Sequence, residues 1–262
     1  MRGLFAVYKR EVALYFQSFI AYAIAFALLG IIGLLFTANI VFLLEQSQIA
    51  VQTGRSANIQ LTPLITQNMG IITFLMFLVA PLITMRLISE ESREGTLEVL
   101  MTLPMSDWSF VVGKFLAAWT FFTALLGLTL IHTGMLAAIG SFNVGQVVFI
   151  YIGTWLYGGA TLAVSIIWSA ITEDQLVAAF LGAATVLTLY LADALASVAT
   201  GQQSQIGDTV GEFIRQLGLN THYNNLLSGI VRVEDITYFV LLIVVALFMT
   251  SLVVSTRRWR AS

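Results

Sequence analysis

Apolar residues run along this chain in long blocks with short polar intervals between them. A membrane-crossing helix needs about 20 predominantly apolar residues. Six blocks reach that length, at 18–43, 63–88, 108–139, 146–171, 175–199 and 236–256. Their apolar positions do not alternate with period 2, which argues against the strands of a membrane β-barrel. The pattern therefore predicts an all-α integral membrane protein with six transmembrane helices. In the second block, Thr62 before Pro63 predicts an N-cap and first-turn pair, and Pro81 predicts a kink. The third block is longer than a bilayer requires, so its first turns stand outside the membrane or the helix tilts.

Three segments do not read as spans. Residues 2–16 predict a helix lying in the membrane interface, with Leu4, Tyr8, Val12, Tyr15 and Phe16 on one face and Arg2, Lys9 and Arg10 reaching headgroups. Residues 44–62 read as a polar outer loop. Residues 200–235 have helical apolar spacing at Val210, Phe213, Ile214 and Leu217, and a second apolar patch at Leu226–Ile230. They predict one or two short outer helices dipping back toward the membrane.

Composition agrees with the pattern. The 262 residues are 58% hydrophobic and 10% charged, with a mean hydropathy of +0.91. There is no cysteine, so disulfides and thiolate metal sites are excluded. The net charge of −2 argues against a nucleic-acid partner. The first sixteen residues are not a signal peptide, because Lys9, Arg10 and Glu11 interrupt any apolar core. Nine of the 12 basic residues gather on one side of this topology: Arg2, Lys9, Arg10, Arg86, Arg93, Lys114, Arg257, Arg258 and Arg260. Arg55, Arg215 and Arg232 are left on the other. Positive charge marks the cytoplasmic side, so both termini and the 86–107 segment are expected there.

That segment holds the densest charge in the chain: Glu90, Glu91, Arg93, Glu94 and Glu98 lie within nine residues. Its breakers divide it. Gly95 ends the helix arriving from the membrane, and Thr96 caps a short new helix with Glu98 near its positive end. Leu97, Leu100 and Met101 share a face of that helix, Pro104 stops it, and Ser106 or Asp107 caps the next span. An apolar face with an acidic rim, strung between two long helices, suits docking to another protein.

Met85–Arg86, Glu90–Glu91, Gly95–Thr96–Leu97–Glu98–Val99–Leu100, Pro104 and Gly113–Lys114–Phe115 together resemble the signature of ABC-2 type transporter permeases. The similarity is greatest to the small six-span group of gliding-motility-associated and copper-system-associated permeases. It continues through Thr221–His222–Tyr223, Ser228–Gly229–Ile230 and Glu234–Asp235–Ile236–Thr237–Tyr238–Phe239, and so covers nearly the whole chain. The resemblance implies a single membrane domain over 1–262 with a type V ABC exporter-like architecture. It makes 2–16 an elbow helix and 89–107 a coupling segment. Glu90, Glu91, Arg93 and Gly95 would shape the approach, and Thr96, Leu97, Glu98, Leu100, Met101 and Pro104 would belong to the docking element for a separate ATP-binding subunit. It implies two copies of that subunit, a second permease half, and a bacterial or archaeal plasma membrane. ATP and Mg would bind the partner and no cofactor this chain. Export is the direction it implies.

The chain carries no phosphate-binding loop of its own. Its one Gly-Lys pair, Gly113–Lys114, is followed by Phe115 and lacks the preceding glycine that G-x-x-x-x-G-K-[ST] requires. Inside the spans, Asp193 and His132 are the candidates for lining a translocation path, since an ionisable group in a membrane needs a compensating reason. Hydration at headgroup depth accounts equally for Asp193, and a neighbouring helix for His132. Asn39 reads as hydrated, and Glu173–Asp174 as a solvated turn. A membrane-embedded protease is the rival from another class. Its E-E-x-x-x-R pattern fails at Gly95, and its F-x-x-x-H fails because Leu128 precedes His132. A non-transporting anchor of a motility or secretion machine is the other rival.

Overall fold

The computed structural model describes residues 2–53, 61–96, 106–200 and 205–261. Among them every regular element is a helix and there is no strand. In chain order these are α1 (Arg2–Gln17), α2 (Phe19–Gln52), α3 (Thr62–Thr84), α4 (Ser89–Arg93), α5 (Asp107–Ile139) and α6 (Val144–Ile171). There follow α7 (Gln175–Tyr190), α8 (Ala192–Thr200), α9 (Gln205–Gln216), α10 (Leu219–Leu227) and α11 (Val233–Ala261). Among the described residues five helices are long and apolar enough to cross a membrane, and six spans result if the bent pair α7–α8 counts as one.

Local chemistry starts several of these helices. The Ser106 hydroxyl accepts from Ser109 N at 3.3 Å and caps α5. Asn143 Oδ1 accepts from Gln146 N and caps α6. Asp174, read from sequence as a solvated turn residue, instead accepts from Leu176 N at 2.7 Å and from Val177 N at 3.2 Å, which caps α7.

Three sequence expectations are corrected. The outer loop predicted at 44–62 is helical as far as Gln52, because residues 44–52 contain no glycine or proline. Polarity at Glu45–Gln48 marks where α2 leaves the apolar layer, not where it ends. Thr62 is not the cap of α3: Leu61 occupies that position without a side-chain bond, and the Thr62 hydroxyl accepts from Asn143 N at 3.4 Å. The span predicted at 175–199 is broken at Leu191, and its two halves meet at 56°. Asn220 Nδ2 donates to the Tyr190 carbonyl at 3.0 Å, which satisfies a group that a straight helix would have used internally.

The bundle is organised around α6. It packs against α3, α5, α7, α10 and α11, and 72% of its apolar window is buried, against 22% for α2. Small residues allow this. A Cβ at Gly153 would lie 3.0 Å from Leu226, and Gly158 and Gly159 face Phe122 and Trp119 on α5 at closer range still. Gly182 on α7 similarly admits Pro81 on α3.

The short helices α9 and α10 lie where two short outer helices were expected. Tyr223 on α10 enters the bundle and is 2.7 Å, hydroxyl to hydroxyl, from Thr154 on α6. Tyr223→Phe removes that bond, while Thr154 keeps its own bond to the Ile150 carbonyl. The expected loss is about 1 kcal/mol, read as a lower melting temperature of the detergent-purified protein. An unchanged melt would show that this bond does not hold α10.

Candidate functional site

At one end of the bundle α1, the end of α3, α4 and the first turns of α5 converge on a buried charge cluster. Lys114 on α5 is 2% exposed. Its Nζ donates to Glu11 Oε1 on α1 at 2.8 Å and lies 3.0 Å from Glu91 Oε1 on α4. The two carboxylates are 7% and 9% exposed. Only the Glu11 contact has hydrogen-bond alignment, so Glu91 is held chiefly by charge. Arg10 adds a longer contact, 3.5 Å to Glu91 Oε1, and the Phe110 ring lies 5.0 Å from the ammonium. A single cation buried between two carboxylates thus joins α4 and α5 to α1, which is distant from both in sequence.

The local sequence explains how Lys114 gets there. A Cβ at Gly113 would sit 3.0 Å from Val7 Cγ1 and 3.1 Å from the Leu4 carbonyl oxygen. Glycine lets α1 lie directly on α5, and the next residue then meets Glu11. Phe115 is buried beside Trp119. The Gly-Lys-Phe triplet thereby acquires a structural role with no connection to phosphate binding.

Further bonds tie the same elements. The Tyr15 hydroxyl donates to the Ile83 carbonyl at 2.8 Å, joining α1 to α3. Burial, reinforced by the charge of Glu11, holds the Tyr15 phenol well above its ordinary pKa, so it stays a neutral donor. Tyr8 and Thr120 join α1 to α5 at 3.1 Å. The Ser169 hydroxyl on α6 accepts from Ile88 N and Ser89 N, at 3.0 and 3.2 Å, and donates to the Met85 carbonyl. It fixes the turn between α3 and α4. Arg86 and Glu90 form a bidentate pair across that turn, at 2.8 and 3.0 Å.

The structure brings some predicted residues into this site. Glu91 is a member of the cluster and Glu90 is paired to Arg86, while Arg93 is exposed. Gly95 has φ +70°, the left-handed conformation that ends a helix at little cost only with glycine. The Thr96 hydroxyl donates back to the Glu91 carbonyl at 3.3 Å. Leu97, Glu98, Leu100, Met101 and Pro104 lie outside the described residues.

Asp193 and His132 are not brought together by any hydrogen bond or ion pair among the described residues. Asp193 accepts from Thr221 Oγ1 at 2.6 Å, which links α8 to α10. His132 packs edge-on against Phe36 of α2, with ring centres 4.7 Å apart, and its Nδ1 is buried without a hydrogen-bond partner. No group of three His, Asp or Glu side chains among the described residues could hold a metal ion.

Sequence reasoning missed Glu11, Lys114, Tyr15 and Ser169 as members of the site. One signal was present: Glu11 lies on the same helical stripe as Leu4, Tyr8 and Tyr15, a charge where an apolar residue is expected.

Comparison with curated proteins returns no match. The model of a protein family described as ABC-2 family transporter protein matches residues 5–262. That span takes in all of the helical bundle but the first three residues of α1, together with Glu11, Glu91 and Lys114, and the chain therefore belongs to the ABC-2 family of transporter membrane proteins.

Proposed function

We propose that this chain is the permease half of an ATP-driven exporter, energised by a separate ATP-binding subunit that docks on the 89–107 segment. The observation that best supports this reading is the Glu11–Lys114–Glu91 cluster, which ties α1, α4 and α5 into one charged joint. The docking element is enclosed between that joint and the Ser106 cap of α5, so a push on it is delivered to α3 and α5 together. Two ATP-binding subunits carrying ATP and Mg serve two permease halves, either a homodimer or a pair with a similar paralogue. The charged joint and both termini face the cytoplasm of a bacterial or archaeal cell. Closure of the ATP-binding subunits draws the two arms together and opens the dimer outward, an alternating-access cycle. Within the family, the gliding-motility-associated and copper-system-associated permeases are the group this reading favours.

Leu97→Asp or Leu100→Asp is expected to abolish co-purification of the ATP-binding subunit while the permease still inserts in the membrane. Co-purification at wild-type yield with either variant would overturn the assignment of the docking element.

A further inference from the structure

A cavity of about 800 Å³ opens beside the charged joint, between α1, the first turns of α2, the end of α3 and α4. That lies within the roughly 300–1,000 Å³ typical of ligand sites. Its walls are of two kinds. One side is apolar, with Ile24 from α2 and Leu82 from α3. The other is charged, with Arg10, Arg86, Glu90 and Glu94.

The charges differ in availability. Lys114, Glu11 and Glu91 are buried together; Lys114 is hydrogen-bonded to Glu11, and Glu91 faces it by charge without an aligned hydrogen bond. Arg86 and Glu90 are mutually paired, with part of each side chain left accessible. Arg10 is half-exposed, and its ion pair among the described residues is the longer 3.5 Å contact to Glu91, which already faces Lys114. Glu94 is exposed and carries no salt bridge among the described residues. Among the described residues the opening thus offers one under-used cation and one anion without a salt bridge, next to an apolar wall. The four lining carboxylates, Glu11, Glu90, Glu91 and Glu94, outnumber the three lining cations, so a net negative ligand is disfavoured.

We propose that this cavity seats one zwitterionic phospholipid with a primary ammonium headgroup, drawn from the leaflet that α1 and α2 border. Its phosphate meets Arg10, its ammonium meets Glu94 and the accessible edge of Glu90, and the start of an acyl chain runs along Ile24 and Leu82. A primary ammonium has three donors for these carboxylates, whereas a choline has none. The lipid would touch α1 on one side and, through Glu94, the residue before the Gly95 break on the other. The inference does not rest on ATPase docking.

The test is native mass spectrometry of the delipidated full-length permease with added dioctanoyl phosphatidylethanolamine, phosphatidylcholine or phosphatidylglycerol, and with chain-free glycerophosphoethanolamine. Phosphatidylethanolamine is expected to be retained roughly tenfold better than phosphatidylglycerol, with the chain-free headgroup not retained. Glu94→Gln, at an exposed position, should lower retention several-fold, and Ile24→Trp should block it by filling the apolar side. Equal or better retention of phosphatidylglycerol would overturn the proposal, as would unchanged binding by Glu94→Gln. Retention of the chain-free headgroup as firmly as the lipid would exclude a bilayer source and also overturn it. The headgroup comparison uses the wild-type protein, so it stands even if Ile24→Trp fails to fold.

Discussion

Lys114→Met is expected to destabilise the protein by about 3–5 kcal/mol, the usual penalty for removing one partner of a buried ion pair. The residue is 2% exposed and is the shared counter-ion of Glu11 and Glu91. Without it two buried carboxylates face each other, and the nearest remaining cation, Arg10, stands 3.5 Å from Glu91 alone. Either a carboxylate takes up a proton or α1 lifts away from α5. Both outcomes should appear as a drop in melting temperature of roughly 10 °C and a lower yield of detergent-purified protein. An exposed pair supplies the contrast. Arg215 and Glu212 are 43% and 57% exposed and 3.5 Å apart, so Arg215→Ala should change stability by less than about 1 kcal/mol.

The same argument predicts a rescue. The cost of Lys114→Met lies in the charges left behind, not in the attraction lost. Neutralising the whole cluster, with Glu11→Gln and Glu91→Gln added, should recover most of the stability. If the triple variant melts as low as the single one, the lysine acts by filling space. If Lys114→Met alone melts like the wild type, the cluster is not a joint.

This cluster also shows where sequence reading stops. The helix signals that were legible are local ones: apolar blocks long enough to span and Ser106 capping α5. Each depends on residues within a turn of one another. Gly95 follows a helix end as expected, but it is the end of the short α4, since the helix arriving from the membrane already ends at Thr84. The Glu11–Lys114 pair is separated by 103 positions, and only a packed structure decides that these two charges meet. Its trace in sequence was a single charge on an apolar stripe, which reads equally well as a headgroup contact. The break at Leu191 was illegible for a similar reason. No glycine or proline marks it, and the groups that stabilise it, Asn220 and Thr221, come from α10. The overextended loop at 44–62 is a different kind of error. Polarity reports the surroundings of a segment, whereas helix ends are set by caps and breakers, and residues 44–52 hold no glycine or proline.

Asp193 illustrates the ambiguity of intramembrane charge. Sequence alone left it between a path-lining residue and a hydrated one. The Thr221 hydroxyl shares its one proton between this carboxylate and the Arg215 carbonyl, so the carboxylate belongs to the bonds that fold α9 and α10 against α8. His132 differs, because its Nδ1 finds no partner between α5 and α2. An unsatisfied polar atom in such a place carries a cost of about 1–3 kcal/mol, and the Phe36 ring offers it only an edge-on contact.

Gly158→Ala is expected to be far more damaging than the same change one residue later. A Cβ at position 158 would lie 2.1 Å from Phe122 Cε1 and 2.5 Å from Cζ, and at position 159 it would lie 2.7 Å from Trp119 Cε2. The neighbours differ in their freedom to move. Phe122 is 1% exposed and belongs to the packed core, so its ring has no vacant space to enter. Trp119 is only partly buried, so its ring has a way out toward the surface, although moving it strains the stack on Trp155, 4.2 Å between ring centres, and the 3.1 Å bond from its Nε1 to the Trp155 carbonyl. Alanine also gains about 1 kcal/mol over glycine in helix propensity at both sites. At 159 that gain offsets part of the cost of moving Trp119, and the net loss should be the smaller of the two. At 158 overpacking, typically 1–3 kcal/mol and larger where the backbone must shift, exceeds it. Because α6 also carries α3, α7 and α11, a displacement forced by Phe122 spreads through the bundle. Parallel thermal melts of the two purified variants decide the matter: Gly158→Ala should melt well below Gly159→Ala, and equal melting temperatures would mean that α5 and α6 approach less closely at Gly158.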